Sequence, residues 1–334
     1  MSGGADWRPC ASRERLSQRA ALMARVRAFF AARGVLEVDT PVVVNAPVSD
    51  VHIHSAPVRL APDGPSFFLH TSPEYAMKRL LAAGSGDIFQ VCHVVRGFER
   101  GRLHNPEFTL VEWYRVGFSL EQLMDEVDAL VRALLGSAAT PRHCERLTYR
   151  EAFLRELGFD PLTASAAQLA QAAAPLGLSA PHALTAPGPG SGSTAARDEL
   201  LELLMGARVG PRLGQSALTF VHGYPASQAA LARLDATDPR TARRFELYCD
   251  GIELANGFHE LASASEQRAR FAADNAERTR LGLPVHAVDE RLLAALAAGL
   301  PDCAGVALGF DRTLMLAAQA ANLDEVLPFP TDRA

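Results

Sequence analysis

Apolar residues along this chain change their period several times, and each change marks an element. Over residues 16–35 a helical period puts Leu16, Ala20, Met23, Arg27 and Phe30 on one face, with Leu22, Val26 and Phe29 beside it, and Gly34 can end the helix. VLEVDTPVVV (35–44) reads as a strand interrupted by Pro41, which marks an edge position or a strand boundary. FFLHTSPEYAMKRLLAAG (67–84) is a strand, a turn and a short helix. DIFQVCHVVRGF (87–98) and FTLVEWYRVGF (108–118) read as two antiparallel strands joined by the polar loop 99–107. SLEQLMDEVDALVRALLG (119–136) is the clearest helix, with a capping box from Ser119 and Gln122 and a broad apolar face from Leu120 to Leu134.

The middle of the chain carries weaker signals. Residues 148–184 contain small Ala-rich helices, 186–194 read as a flexible loop, and 197–214 as a helix running into a loop. Later, RRFELYCDGIELANGFHEL (243–261) is two strands with a tight turn at Asp250-Gly251. Residues 265–280 and 289–298 are helical, and GVALGFDRTLMLAAQA (305–320) is a strand that passes directly into a helix. Hairpins with helices around them predict an α+β fold, an antiparallel sheet flanked by helices. A doubly wound fold lacks support, because there is no βαβ rhythm, no G-x-G-x-x-G and no P-loop motif.

Composition narrows the class. The 334 residues are 48% hydrophobic and 21% charged, as in a packed globular protein. No run approaches the roughly 20 apolar residues of a membrane span, and the first residues lack a signal-peptide core. Five dispersed cysteines suit a reducing compartment, so a cytoplasmic location is expected. A net charge of −5 gives no global attraction for nucleic acid.

Three polar clusters carry the candidate chemistry. The first runs from Arg96 through Arg102, His104, Asn105 and Glu107 to Glu112 and Arg115, the last two inside an apolar strand. Charges there need partners or a wet cleft, so they indicate a polar surface on the sheet or a structural ion-pair network. The second is Glu253, Asn256 and Glu260 in GIELANGFHEL, hard oxygen ligands that could hold Mg²⁺ with ATP phosphates. Strict alternation does not put all three on one face, so a bulge or bend near Gly257 is required. The third is Gly309, Asp311 and Arg312, where a strand meets a helix. An arginine in a helix's first turn is electrostatically disfavoured, which suits either an anionic ligand or a buried acid–arginine pair.

These blocks resemble the class II aminoacyl-tRNA synthetases. FFAARGVLEVDTP is similar to their motif 1, Arg96 through GRLHNPEFTLVEWYR to motif 2, and GVALGFDRTLML to motif 3. TSPEYAMKRLL and GIELANGFHEL resemble the lysyl branch, and most closely its stand-alone members that modify elongation factor P, the elongation factor P–(R)-β-lysine ligases. The likeness runs from about residue 16 to the C-terminus. It implies a flexible tail over 1–15 and a catalytic domain over 16–334 with a helical insertion around 148–212. No anticodon-binding domain is expected ahead of motif 1. Ala307 stands where the tRNA enzymes have glycine, which also favours the protein-modifying branch.

The resemblance implies residue roles as well. Arg96 would contact the α-phosphate and the substrate carboxylate, and Arg312 the γ-phosphate. His104, Asn105 and Phe108 would surround the nucleotide, with Phe108 stacked on adenine. Glu253 and Glu260 would serve Mg²⁺ and the phosphates. Ser72, Glu74, Tyr114, Asn256 and Glu260 would hold the amino acid, while Gly305, Ala307 and Gly309 allow close ligand approach. The implied cofactors are ATP and Mg²⁺. The implied partners are a small amino acid, elongation factor P and a second copy of the chain against residues 20–44, with no stable tRNA binding and no membrane. One departure stands out. The family's motif 2 usually reads Arg-Asn-Glu-Glu, and its first glutamate reads adenine, whereas this chain has Arg96-Gly97-Phe98-Glu99, so Glu99 would take that role if the loop shifts by one residue, and otherwise adenine recognition would lean on backbone groups and stacking. Two alternatives remain at this level: a stand-alone ligase charging tRNA or another small acceptor, and a non-catalytic paralogue serving as a binding module.

Overall fold

The computed structural model describes residues 7–136, 143–177 and 194–334. Among them an eight-stranded sheet runs in the order β1-β5-β6-β11-β10-β9-β8-β7: Leu36–Glu37, Ile88–Val95, Glu107–Val116, Cys303–Gly309, Ile252–His259, Thr241–Cys249, Ala217–Pro225 and His143–Thr148. All pairings are antiparallel except the two outermost, β1 with β5 and β7 with β8. The expected α+β fold with an antiparallel sheet is therefore present. Pro41 divides its segment as a proline should. Leu36–Glu37 lies at one edge of the large sheet, and Val43–Val44 (β2) at the edge of a three-stranded sheet with Pro57–Arg59 (β3) and Ser66–Leu69 (β4).

The helices among the described residues, in chain order, are α1 Arg13–Ala31, α2 Glu74–Ala82, α3 Leu120–Leu135, α4 Tyr149–Leu157, α5 Ala166–Ala173, α6 Thr194–Leu204, α7 Ala264–Arg280, α8 Glu290–Gly299 and α9 Phe310–Ala317. The capping box of α3 forms as read from Ser119 and Gln122. The first helix starts earlier than its apolar period suggests, because the Ser12 side chain accepts from the Arg15 amide. Cys10 is also tied down, its amide donating to Pro328 O at 2.8 Å, so residues 10–15 are not a loose tail. Of the expected face of α1, Leu22, Val26 and Phe30 are buried and Leu16 is exposed. The 186–194 loop reading lies, but for its last residue, outside the described residues.

The two faces of the large sheet differ. One buries Val111, Trp113, Val306, Leu254, Phe245 and Leu247 under α1, α3 and α9 in the largest apolar core. The other face carries polar residues in cross-strand rows. One row runs Gln90–Glu112–Ala307–Asn256–Glu246 across five strands, and the next runs Ile88–Tyr114–Gly305–Phe258–Arg244. The period-2 alternation of strands thus yields a dry face and a chemically active one. Residues 149–224 contribute a separate apolar cluster built on Tyr149, Phe153, Leu200, Leu204 and Tyr224.

Candidate active site

The polar face floors a cavity of about 1010 Å³, walled by α2, the 99–105 loop, α6 and α7. Every residue to which the resemblance gives a role lines it: Ser72, Glu74, Arg96, Glu99, His104, Asn105, Phe108, Tyr114, Glu253, Asn256, Glu260, Gly305, Ala307, Gly309 and Arg312; Arg102, Glu107 and Arg115 of the first cluster do not. How Glu253, Asn256 and Glu260 come to share a face is a correction. The bulge is not at Gly257 but at Leu254, where the register against β9 shifts between Glu253 and Ala255. That extra residue lets Leu254 and Ala255 both enter the core and brings Glu253 into step with Asn256 and Glu260. Gly257 has a different constraint: an added Cβ would stand 2.5 Å from the Phe245 ring.

One end of the cavity is cationic. Among the described residues the Arg96 guanidinium makes a single hydrogen bond, donating at 3.4 Å to Thr71 O, and it lies 5.1 Å from the Phe108 ring centre. Arg312 is held more firmly, donating to Leu103 O at 3.1 Å and to Glu253 O at 2.9 Å, with His104 Nε2 at 2.8 Å. Burial, with Arg312 adding to it, lowers the His104 pKa, so a neutral ring accepts from Arg312. Asn105 is buried and committed to the protein, donating to Glu107 O and accepting from the Thr331 amide. Asp311 pairs with Arg19 rather than with Arg312, which leaves Arg312 facing the cavity.

The backbone at residue 98 decides which side chain of this loop enters the cavity. Phe98 adopts φ +64°, a left-handed conformation that costs a bulky residue energy, and its ring is 90% exposed against His54. Glu99, not Phe98, lines the cavity. The left-handed step swings the aromatic ring outward and the following carboxylate inward.

The other end is acidic. Lys78, fully buried, lies 2.6 Å from both Glu74 Oε1 and Glu260 Oε2. Ser72 Oγ and Tyr114 OH each donate to Glu112 at 2.7 Å, and Ser72 Oγ also accepts from the Glu74 amide. Burial, reinforced by Glu74, pushes Glu112 up to about 7. Burial likewise pushes Glu260 up to about 8, against the opposing pull of Lys78. Burial alone would lower Lys78, but Glu260 and Glu74 outweigh it and hold the ammonium charged. The glycine at 305 serves packing here: a Cβ would stand 2.3 Å from the Tyr114 ring and 2.6 Å from Glu260 Oε1.

Glu253 and Glu260 do not form one ligand pair. They lie seven positions apart, about 20 Å along an extended chain, far beyond the span of one cation's coordination sphere. Glu246 is the acid that acts on Glu253: burial raises the Glu253 pKa and the charge of Glu246 raises it further. Sequence reading missed Glu246 and Lys78. Glu246 carried the same signal as Glu112, an acid inside an apolar strand. Lys78 carried none, since a lysine in a helix normally reads as solvent-facing. Glu112 and Arg115 also separate: Arg115 points to the opposite face and pairs with Asp87 at 3.1 Å and Glu126 at 3.5 Å. The ion-pair reading therefore holds for Arg115 and the polar-surface reading for Glu112.

Over residues 4–333 the chain matches the family of tRNA synthetases class II (D, K and N). It is 50% identical to the elongation factor P–(R)-β-lysine ligase of Vibrio cholerae, over 98% of this chain and 99% of that protein. It is 49% identical to the ligase of that name from Salmonella typhi, over the full length of both. The chain belongs to the class II tRNA synthetase family, in the branch of the elongation factor P–(R)-β-lysine ligases.

Proposed function

We propose that this chain is an ATP-dependent, AMP-forming ligase that activates (R)-β-lysine, or lysine, and transfers it to a lysine ε-amine of elongation factor P. One observation carries this reading: a single cavity has arginines at one end and, at the other, one lysine among the buried carboxylates of Glu112 and Glu260 and the half-buried one of Glu74. A triphosphate fits the first end. The second has an excess of negative charge and suits a substrate with two amino groups, whose carboxylate then lies toward Arg96.

In this reading Arg96 takes the α-phosphate and the substrate carboxylate, and Arg312 the γ-phosphate. Phe108 stacks on adenine, with His104 and Asn105 shaping the loop around it. Glu99, an acceptor-only group, takes the adenine amino group in place of the residue at 98. Asn256 orients the carboxylate, and Ser72, Glu74, Tyr114 and Glu260 receive the amines. No group of three metal-ligating side chains occurs among the described residues, which suits a magnesium ion brought in on ATP rather than a resident protein cage. Glu253 and Glu246 would hold it, and it would supply charge neutralisation on the phosphates.

The substrate carboxylate is already ionised at neutral pH, so its attack on the α-phosphorus needs no protein base. Bond formation expels pyrophosphate and leaves the aminoacyl-adenylate. Alignment and neutralisation by Arg96 and Arg312 are the protein's share of the catalysis. The acceptor amine then attacks the activated carbonyl and releases AMP. We further propose a cytoplasmic homodimer through residues 20–44, which would cover the exposed Leu36 and Val42. No helix among the described residues is long and apolar enough to cross a membrane. Stable tRNA binding is not part of the proposal.

Amino-acid-dependent ATP–pyrophosphate exchange tests the activation step. Exchange is expected with (R)-β-lysine or lysine and not with acidic or small neutral amino acids. Absence of exchange with every amino acid would leave the binding-module reading standing.

A further inference from the structure

Arg19 of α1 has no place in the chemistry above, yet it touches two of the segments that line the site, at Thr109 in one and at Phe310 and Asp311 in the other. Its Nη1 donates to Asp311 Oδ1 at 2.5 Å, and its Nη2 to Thr109 Oγ1 at 2.5 Å. The triangle closes through the Thr109 amide, which donates to Asp311 Oδ2 at 2.7 Å. Arg19 also lies over the Phe310 ring, 5.1 Å from its centre. Asp311 and Thr109 are buried, at 2% and 1% exposure, so this is a desolvated node rather than a surface pair.

Its neighbours give the node its meaning. Thr109 directly follows Phe108, and Asp311 directly precedes Arg312. Successive residues diverge on both elements, so each pair puts one side chain into the node and the other into the cavity. A planar guanidinium fork fixes distance and angle together, which an ammonium cannot do. We propose that Arg19 is a positioning residue for the nucleotide: it sets the separation of the Phe108 ring and the Arg312 guanidinium, the adenine and γ-phosphate walls of the slot proposed above for ATP, and ties that separation to α1. This rests on the reading that Phe108 and Arg312 flank ATP.

The test is Arg19→Lys, which keeps the charge on Asp311 and loses the fork. Pyrophosphate exchange is measured while ATP and the amino acid are varied separately. A misplacement of the slot walls by a fraction of an ångström is expected to raise the KM for ATP by about tenfold, with the amino acid KM within about twofold of wild type. Thr109→Val, which removes only the second prong at nearly constant volume, is expected to give a smaller rise in the same direction. An unchanged KM for ATP in both variants would overturn the inference, and so would a parallel rise in both KM values, the mark of general structural damage. If the wild-type chain itself shows no exchange, the nucleotide reading fails instead, which is a separate outcome.

Discussion

Replacing Arg96 by alanine should lower kcat/KM for pyrophosphate exchange by about 10² to 10³-fold, the usual effect of deleting one preorganised group aimed at developing charge. The structure makes this a clean experiment. The one hydrogen bond the Arg96 side chain makes among the described residues is the 3.4 Å contact to Thr71 O, and otherwise its guanidinium faces Phe108 and the cavity. Little of the fold depends on it, so the thermal midpoint should stay close to wild type. Arg312 makes a poorer test, because it also holds the 99–105 loop through Leu103 O and β10 through Glu253 O. A variant at Arg96 with near wild-type exchange would mean that the anionic end of the substrate lies elsewhere.

The second large effect is on stability. Lys78→Met removes the ammonium that lies 2.6 Å from both Glu74 and Glu260 while keeping similar volume. Breaking a buried ion pair on one side typically costs about 3–5 kcal/mol, because the remaining charge is left desolvated. The sign of the pH dependence follows from the acids. Glu112 and Glu260 are raised from an ordinary 4.5 to about 7 and about 8. A raised carboxyl favours the folded state fully below its unfolded pKa, and that contribution is lost as pH rises through the folded value. Without Lys78 the carboxyls around it shift higher still, so the loss should be largest near pH 8 and much smaller near pH 5. Urea denaturation at the two pH values measures this. An equal loss at both would mean that Lys78 contributes packing and not charge.

Much of this site was legible from residue order, and the illegible parts share a cause. The strand before Arg96, the strand after Phe108 and the strand-to-helix step at Gly309 all follow from local period, and the structure has them. Arg96 and Arg312 could be singled out because each is a cation where local electrostatics or hydropathy disfavours one. Register across strands is different, since it is fixed by which residues meet in the fold. Local sequence could not tell that Glu246 stands opposite Asn256, or that the bulge falls at Leu254 rather than at Gly257. That Arg115 turns away from Glu112's face was legible, since residues three apart on a strand take opposite faces, but which of those faces meets the cavity was not. Lys78 was hidden for the same reason: its partner Glu260 lies 182 residues on in the chain, and only the fold brings them together. The outward turn of Phe98 rests on one backbone dihedral, and sequence reached it only as a conditional shift of the loop.

In the proposed reaction an activated lysine leaves this cavity for a protein acceptor. The intact mass of elongation factor P is measured after incubation with the chain, ATP, Mg²⁺ and (R)-β-lysine, with bulk tRNA offered in a parallel reaction. Elongation factor P is expected to gain one lysyl group at a single lysine, only when ATP is present, while the tRNA stays uncharged. An unchanged elongation factor P alongside aminoacylated tRNA would contradict the proposed reaction.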